Sequence, residues 1–219
     1  MFYRKSSRFI VLFGLLLAML ALVAVLPAAA NDHRSTENVY WWWDGATVIG
    51  SSTLTRTPNG ISANYQTTGL ASGQAMTLWF IVFNNPDGCN NDPCAAPEDV
   101  FNPDADADFL LAAGHVTGNG PAATFSGYLP VGDASGSGMP EIGFPELALG
   151  LLDPLNAEVM LALHSHGPAM SGQTLVDQIS SFTGGCTSFL GTNGFANGPA
   201  DIPANPGECS TFQLSVHQP

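Results

Sequence analysis

Short apolar runs separated by glycine and proline are the main feature of the sequence. The runs are rich in Val, Ile, Thr and aromatic residues, which favour β-strands, and no long segment has helical periodicity. The pattern predicts seven strands, near residues 46–56, 60–68, 75–84, 108–117, 122–130, 157–166 and 210–217. Short helical turns are predicted at 97–101, 145–152 and 174–182.

Two of the predicted strands differ in the burial that their residues indicate. Met76 to Phe83 is apolar except for Thr77, which predicts a central strand covered on both faces. Residues 211–217 alternate between apolar and polar, which is typical of a half-buried strand. Because a half-apolar strand needs a second layer to cover it, we expect an all-β fold. The strand number favours an Ig-like or Greek-key β-sandwich of about seven or eight strands.

The first thirty residues have the composition of a secretory signal peptide. Three basic residues precede a nearly unbroken apolar run, residues 9–26, and Ala28–Ala30 form a small-residue cleavage site. An apolar run of this length could alternatively remain as a membrane anchor. We expect cleavage after Ala30, so that residues 31–219 form a single domain that is not inserted in the membrane. That domain would be secreted, periplasmic or attached to the cell surface.

Removal of the leader leaves a strongly acidic chain. Only Arg34 and Arg56 remain as basic residues, against 18 acidic ones, and there is no lysine. Such a charge disfavours nucleic acid and anionic lipid as partners. The absence of lysine excludes Schiff-base and P-loop chemistry, and no catalytic serine motif is present. These features favour a protein that binds rather than catalyses.

The four cysteines predict two disulfides. An even cysteine count in an exported protein favours oxidised pairs, and three pairings are possible. We favour Cys89–Cys94, which closes a tight loop, and Cys186–Cys209, which closes a long loop rich in Gly, Asn and Pro. The alternative is a metal site, but the C-x4-C spacing with a distant second pair is unusual for zinc.

A histidine pair is the first candidate for metal chemistry. His164 and His166 are two residues apart on a predicted strand, so their side chains share a face with Cα atoms about 6.5 Å apart. One zinc or copper ion could bridge them, with His115 or His217 as a third ligand. Alternatively, both histidines form hydrogen bonds to backbone where the strand turns at Gly167.

Alternating carboxylates form a second candidate, for calcium. Asp104, Asp106 and Asp108 have the spacing that begins an EF-hand loop. Phe109 occupies the place of the turn glycine and His115 the place of the bidentate glutamate, so any calcium site would need another arrangement. The alternative is a solvated acidic loop that leads into a strand.

Three consecutive tryptophans form a third candidate. On a strand, Trp42 faces one side with Tyr40, while Trp41 and Trp43 face the other. One pair could form an exposed platform that stacks on sugars. The alternative is that these rings are buried and fill the core of the sandwich.

The segment AEVMLALHSHGPA, residues 157–169, resembles the histidine-bearing strand of CHRD domains, the chordin-type β-sandwich modules of secreted proteins. It is also similar to the copper-binding strand of Cu/Zn superoxide dismutases, which would make His164 and His166 copper ligands. The chain lacks a histidine shortly downstream that could bridge two metals, and the next one is His217. Across residues 69–219 the chain resembles a group of uncharacterised bacterial exported proteins, which implies no activity.

The sequence therefore leads to three hypotheses of different classes. The first is an exported, non-enzymatic binding or structural module with no expected cofactor, whose partner is an unknown extracellular protein or glycan. The second is a metalloprotein with histidine-ligated copper or zinc. The third is a carbohydrate-binding domain that uses Trp41, Trp42 and Trp43.

Overall fold

Nine β-strands, one short α-helix and five 3-10 turns make up the regular structure of residues 33–219, the part of the chain that the computed structural model describes. All seven predicted strands are confirmed, each with ends within two residues of the expected ones. The helix, α1, spans Gln173–Gln178. The strands are β1 (His33–Trp41), β2 (Val48–Thr57), β3 (Gly60–Thr67), β4 (Gln74–Phe83), β5 (Ala107–Val116), β6 (Ala123–Pro130), β7 (Glu158–Pro168), β8 (Ser188–Phe189) and β9 (Glu208–His217).

The strands form one sheet that rolls around its own inner face. Its order is β5-β4-β7-β9-β1-β2-β3-β6, with every neighbouring pair antiparallel, while β8 pairs in parallel with the start of β9. The two end strands approach closely, since a Cβ atom added at Gly127 in β6 would lie 2.5 Å from the carbonyl oxygen of Ala112 in β5. The expected all-β, sandwich-like fold is confirmed, and its two halves belong to one continuous sheet that is almost closed into a barrel.

The inner face of the sheet holds the larger hydrophobic core. It is built from alternate residues of most strands, including Leu54, Ile61, Phe80, Leu161 and Phe125, all of them at most 1% exposed. Burying one such side chain contributes about 1.5–3 kcal/mol. The period-two pattern of the strands thus directs one set of apolar residues inward.

A second core lies on the outer face of β4, β5 and β7, under long loops. Trp79 and Ile81 of β4 pack there with Met160 of β7, and loop residues such as Val100 and Met139 cover them. Every residue of β4 is therefore buried. This confirms the prediction of a central strand covered on both faces.

Two disulfides attach these covering segments. Cys89–Cys94 closes a loop before β5, and Cys186–Cys209 joins the segment after α1 to β9, so both predicted pairings are confirmed. The second bridge closes a loop of 23 residues in sequence separation. Such a bridge stabilises the folded state by about 3 kcal/mol through loop closure.

Strand β1 was not predicted from the sequence. Only Val39 is buried within it, and most of its other side chains are polar and exposed. It pairs with β2 over most of its length and with β9 only at Tyr40 and Trp41. Its sequence therefore lacks the apolar alternation that marks the other strands.

Arg56 joins separate segments at one end of the barrel through hydrogen bonds to their backbone carbonyl oxygens. The side chain is 2% exposed, and its guanidinium donates over 2.7–3.3 Å to the carbonyl oxygens of Pro154, Ala157, His217 and Gln218. Hydrogen bonds to charged groups contribute about 1.5–3 kcal/mol each, and buried carbonyls left unpaired are costly. One side chain of β2 thus holds both the segment that precedes β7 and the end of β9.

Replacing Arg56 with methionine should therefore lower the free energy of unfolding by at least about 3 kcal/mol, because several buried carbonyls lose their donor. Urea denaturation measures the change. The matched control is Arg34→Met in exposed β1, which should leave the midpoint nearly unchanged. Equal midpoints for both variants would contradict this role of Arg56.

Candidate functional site

The register of β7 places its two histidines on the outer face of the sheet. Leu161 and Leu163 point into the inner core, whereas Ala162, His164 and His166 point outward. The two imidazole ring centroids are 4.7 Å apart and nearly perpendicular, and both side chains are completely buried. The expectation that the pair shares one face is confirmed.

His166 has a hydrogen-bond partner at each ring nitrogen. Its Nδ1–H donates to the carbonyl oxygen of Gly184 at 2.9 Å, because a carbonyl can only accept. Its Nε2 therefore accepts from the hydroxyl of Thr77 at 3.0 Å, and Thr77 in turn accepts from Trp79 Nε1–H at 2.8 Å. Burial lowers the pKa of His166 to about 4, so the ring is neutral near pH 7.

His164 has a partner at only one ring nitrogen. Its Nδ1 lies 2.9 Å from the hydroxyl oxygen of Thr211, whereas its Nε2 is buried and has no hydrogen-bond partner among residues 33–219. Burial, together with the neighbouring His166, lowers the pKa of His164 well below its ordinary value. A buried polar atom without a partner is uncommon and marks this ring as a candidate ligand-binding group.

The Cys186–Cys209 disulfide lies directly beside this histidine pair. His166 Nδ1 is 3.6 Å from Cys186 Sγ and 3.8 Å from Cys209 Sγ. One donor atom from each of His164, His166, Cys186 and Cys209 lies within 4.8 Å of the other three. Within residues 33–219, this is the only group of three or more His, Cys, Asp or Glu side chains that could hold a metal ion, and its two sulfurs are bonded to each other.

His115, expected as a possible third ligand, lies away from the pair. It pairs across β4 with Met76 of the inner core, and its ring stacks on Phe125 at a centroid distance of 4.2 Å. Its side chain therefore projects to the inner face, opposite to His164 and His166.

His217, the other expected third ligand, is also remote from the pair. It lies opposite Val159 near the beginning of β7. The hydroxyls of Ser35 and Ser52 bind its two ring nitrogens at 2.7 and 2.8 Å. Strand register thus separates His217 from the candidate metal group.

The three aspartates expected to bind calcium do not meet at one point. A 3-10 turn contains Asp104, and Asp106 has a left-handed backbone conformation, so the chain between Asp104 and Asp108 is not a strand. The buried carboxylate of Asp108 instead accepts from Ser137 Oγ at 2.6 Å and Gly150 N at 2.8 Å, although burial raises its pKa. Asp108 thereby holds a covering loop on the outer face.

The three tryptophans alternate between two faces, as predicted, but they pack within the protein. Trp41 stacks on Trp43 with ring centroids 4.9 Å apart, and both contact the inner core. Trp42 points the other way and stacks on Phe195 at 4.5 Å. All three side chains are partly buried, which supports the packing interpretation over an exposed sugar platform.

An apolar cavity of about 520 Å³ opens on the outer face of the sheet. Side chains of β4, β5, β7 and β9 form its floor, and β8 together with the covering loops forms its walls. The lining consists of Trp79, Ile81, Pro97, Val100, Phe101, Phe109, Ile142, Phe144, Ala162, Phe182, Phe189, Asn193, Phe195 and Thr211.

Six phenylalanines give this cavity its chemical character. No charged residue lines it, and its only polar side chains are those of Asn193 and Thr211. The Thr211 hydroxyl is held by His164, whose ring also packs against Phe182 at a centroid distance of 4.5 Å. The histidine group therefore lies immediately behind the cavity wall.

The sequence pattern does not predict this cavity. Only two of its six phenylalanines, Phe189 and Phe195, lie in the long segment rich in Gly, Asn and Pro that is predicted to be a loop, and the other four lie in or beside predicted helical turns or a predicted strand. Large aromatic residues in a predicted loop were the available signal, because aromatic side chains are usually buried and a loop surrounded by water would expose them.

Comparisons with known proteins found no matching family model, curated protein or solved structure. Within residues 33–219, no helix has both the length and the apolar character needed to cross a membrane.

The burial of His217 predicts a pH dependence of stability. Burial, together with nearby Arg56, lowers its pKa from about 6.5 to about 4 in the folded state. Between about pH 6.5 and pH 4, His217 therefore takes up a proton in the unfolded chain but not in the folded protein. The stability contributed by neutral His217 is complete above about pH 6.5 and is lost as the pH falls towards 4, by up to about 3 kcal/mol.

Replacing His217 with glutamine should reduce this loss by about 2–3 kcal/mol, because glutamine stays neutral and can still bind the two serines. The measurement compares free energies of unfolding near pH 7 and near pH 4.5. The control, His33→Gln, makes the same substitution at an exposed histidine of β1. The same decline in His217→Gln as in wild type would contradict this role of His217.

Proposed function

We propose that this protein is an exported, non-enzymatic binding module that takes a small, neutral, aromatic or aliphatic ligand into its outer-face cavity. The observation that carries the proposal is the cavity of about 520 Å³ with its almost entirely apolar lining. Small-molecule sites typically have volumes of about 300–1,000 Å³, apolar walls and a few placed polar groups. The cavity has each of these properties.

The mouth of the cavity supports an apolar ligand. Phe101, Phe144 and Phe189 line the cavity and are 44%, 39% and 44% exposed. Phe101 and Phe144 also contact each other, with ring centroids 5.2 Å apart. Large apolar side chains grouped at an opening leave favourable burial unrealised until a ligand covers them.

The polar groups of the cavity support a neutral ligand with at most one or two hydrogen-bonding groups. Asn193 offers an amide, and the Thr211 hydroxyl is oriented by His164. A charged ligand would lose its hydration without meeting an opposite charge, which is strongly unfavourable.

A binding role also accounts for the state of the histidine pair. A general acid or base must come within hydrogen-bond reach of its substrate. His164 and His166 have no exposed surface, and their partners are threonine hydroxyls and a backbone carbonyl rather than a carboxylate. This environment favours a structural contribution to the cavity wall.

Export is supported by the two disulfides together with the leader-like first thirty residues. Disulfides form and persist in secreted and periplasmic proteins and are rare in the cytosol. The leader itself lies outside the described residues.

Binding can be tested with N-phenyl-1-naphthylamine, a neutral aromatic dye that fluoresces more strongly in apolar surroundings. Ala162→Phe places a ring on the cavity floor and should weaken binding of the dye by about tenfold or more, equivalent to at least about 1.4 kcal/mol. Phe189→Ala removes part of the exposed apolar rim without placing a larger side chain in the cavity, and it should also weaken binding of the dye. Fluorescence titration gives the affinities.

The control is Val48→Phe, which adds a ring at a residue that is 54% exposed and does not line the cavity. It should bind the dye as wild type does. Unchanged affinity in both cavity variants, or an absence of dye binding by wild type, would contradict the proposed site. Since Phe189 is on the surface, its variant remains informative if Ala162→Phe does not fold.

A further inference from the structure

We propose that reduction of the Cys186–Cys209 disulfide creates a zinc site, in which the two thiolates join His164 and His166 as ligands of one Zn²⁺ ion. The site adjoins the apolar cavity at Thr211 and Phe182, but it does not depend on the ligand proposed for that cavity. It differs from the histidine-only site expected from the sequence, because its third and fourth ligands are sulfurs that lie far from the histidines along the chain.

The positions of the four donor atoms support this site. One donor atom from each of the four residues lies within 4.8 Å of the others. Tetrahedral zinc with bonds of about 2.0–2.3 Å requires neighbouring donors to be about 3.3–3.8 Å apart. The donors therefore have to converge by only a small amount once the two sulfurs are free to separate.

The orientation of both imidazoles provides an independent argument. A threonine hydroxyl holds one nitrogen of each ring, since Thr211 binds Nδ1 of His164 and Thr77 binds Nε2 of His166. Metal-bound histidines characteristically donate their second N–H to a fixed acceptor, which sets the ring and its tautomer, and a threonine oxygen is in place to accept from each of these rings. The other nitrogens are Nε2 of His164, which has no partner among residues 33–219, and Nδ1 of His166, which faces both sulfurs.

The chemistry of the group selects the metal. Two thiolates and two neutral imidazoles in a tetrahedral arrangement suit Zn²⁺, whereas Ca²⁺ and Mg²⁺ require oxygen ligands.

Zinc binding changes the hydrogen bonding of His166, whose Nδ1 releases its proton and its hydrogen bond to Gly184 O. Its Nε2 then carries the proton and donates to Thr77 Oγ1.

The reaction balances with a phosphine or a dithiol as the reductant. Reduction adds two electrons and two protons to the S–S bond and yields two thiols. With a phosphine, the phosphorus is oxidised to the phosphine oxide and takes its oxygen from water. Zinc then displaces one proton from each thiol as the Zn–S bonds form. Cys186 is partly exposed, so a reductant approaches the bridge from its side, whereas Cys209 is buried.

The test uses Cys89→Ser/Cys94→Ser protein, in which Cys186 and Cys209 are the only thiols. It is reduced with tris(2-carboxyethyl)phosphine, loaded with Zn²⁺, desalted and assayed for metal by elemental analysis. Loading with Co²⁺ instead reports the ligands, because thiolates give charge-transfer absorption and tetrahedral cobalt gives intense visible bands. We expect one zinc per reduced chain, none per oxidised chain, and a higher unfolding temperature of the reduced protein with zinc.

Adding His164→Gln or His166→Gln to this protein should weaken zinc binding by at least about a hundredfold, more than the loss of an outer-shell partner causes. Thr77→Val, which keeps all four ligands, should weaken it by about tenfold. A variant with Cys186→Ser and Cys209→Ser in addition should bind no zinc at this site.

Three results would overturn the proposal. Equal zinc affinity with and without the histidines would show that free thiols alone bind the metal. Equal affinity of the oxidised and reduced proteins would show that the sulfurs are not ligands. Reduced protein that stays unfolded after zinc is added, or that folds without taking up zinc, would show that the four side chains do not form a site.

Discussion

Burial of both faces of β4 and β7 is the constraint on which the other features depend. The inner faces of these strands pack in the barrel core, but their outer faces carry Trp79, Met160 and similar side chains that also need cover. No second sheet supplies this cover within residues 33–219. Long loops supply it instead, and a segment with little regular structure must be fixed at several points because ordering it costs conformational entropy. The two disulfides and the buried carboxylate of Asp108 provide those points.

The cavity and the histidine group both result from the covering of the outer face by loops rather than by a second sheet. Protein interiors are normally close-packed with few voids, but here the aromatic side chains of the covering segments enclose a space rather than fill it. The same segments bring Cys186 and Gly184 over the end of β7, where they meet the histidines. The polar group and the apolar pocket therefore share one wall, at Thr211 and Phe182.

The sequence predicted seven of the nine strands, the disulfide pairing and the shared face of His164 and His166, because these depend on local period and spacing. The two-residue strand β8 lies in a segment that was predicted to be a loop. The sequence also did not predict β1, whose exposed side chains hide the strand pattern. It left open whether His115 or His217 lies near the pair, since strand register and face are set by pairing between distant segments. The cavity was missed for the same reason, as its lining comes from residues 79 to 211 and no local pattern reports their convergence.

The most direct test of the central claim is a methyl-resolved NMR experiment on the oxidised protein with bound N-phenyl-1-naphthylamine. If the loop-covered face is the binding site, intermolecular nuclear Overhauser effects should connect the dye to the methyl groups of Ala162, Ile81 and Val100, which line the cavity. Effects restricted to inner-core methyls such as those of Leu161 and Leu163, with none to the outer face, would contradict the account.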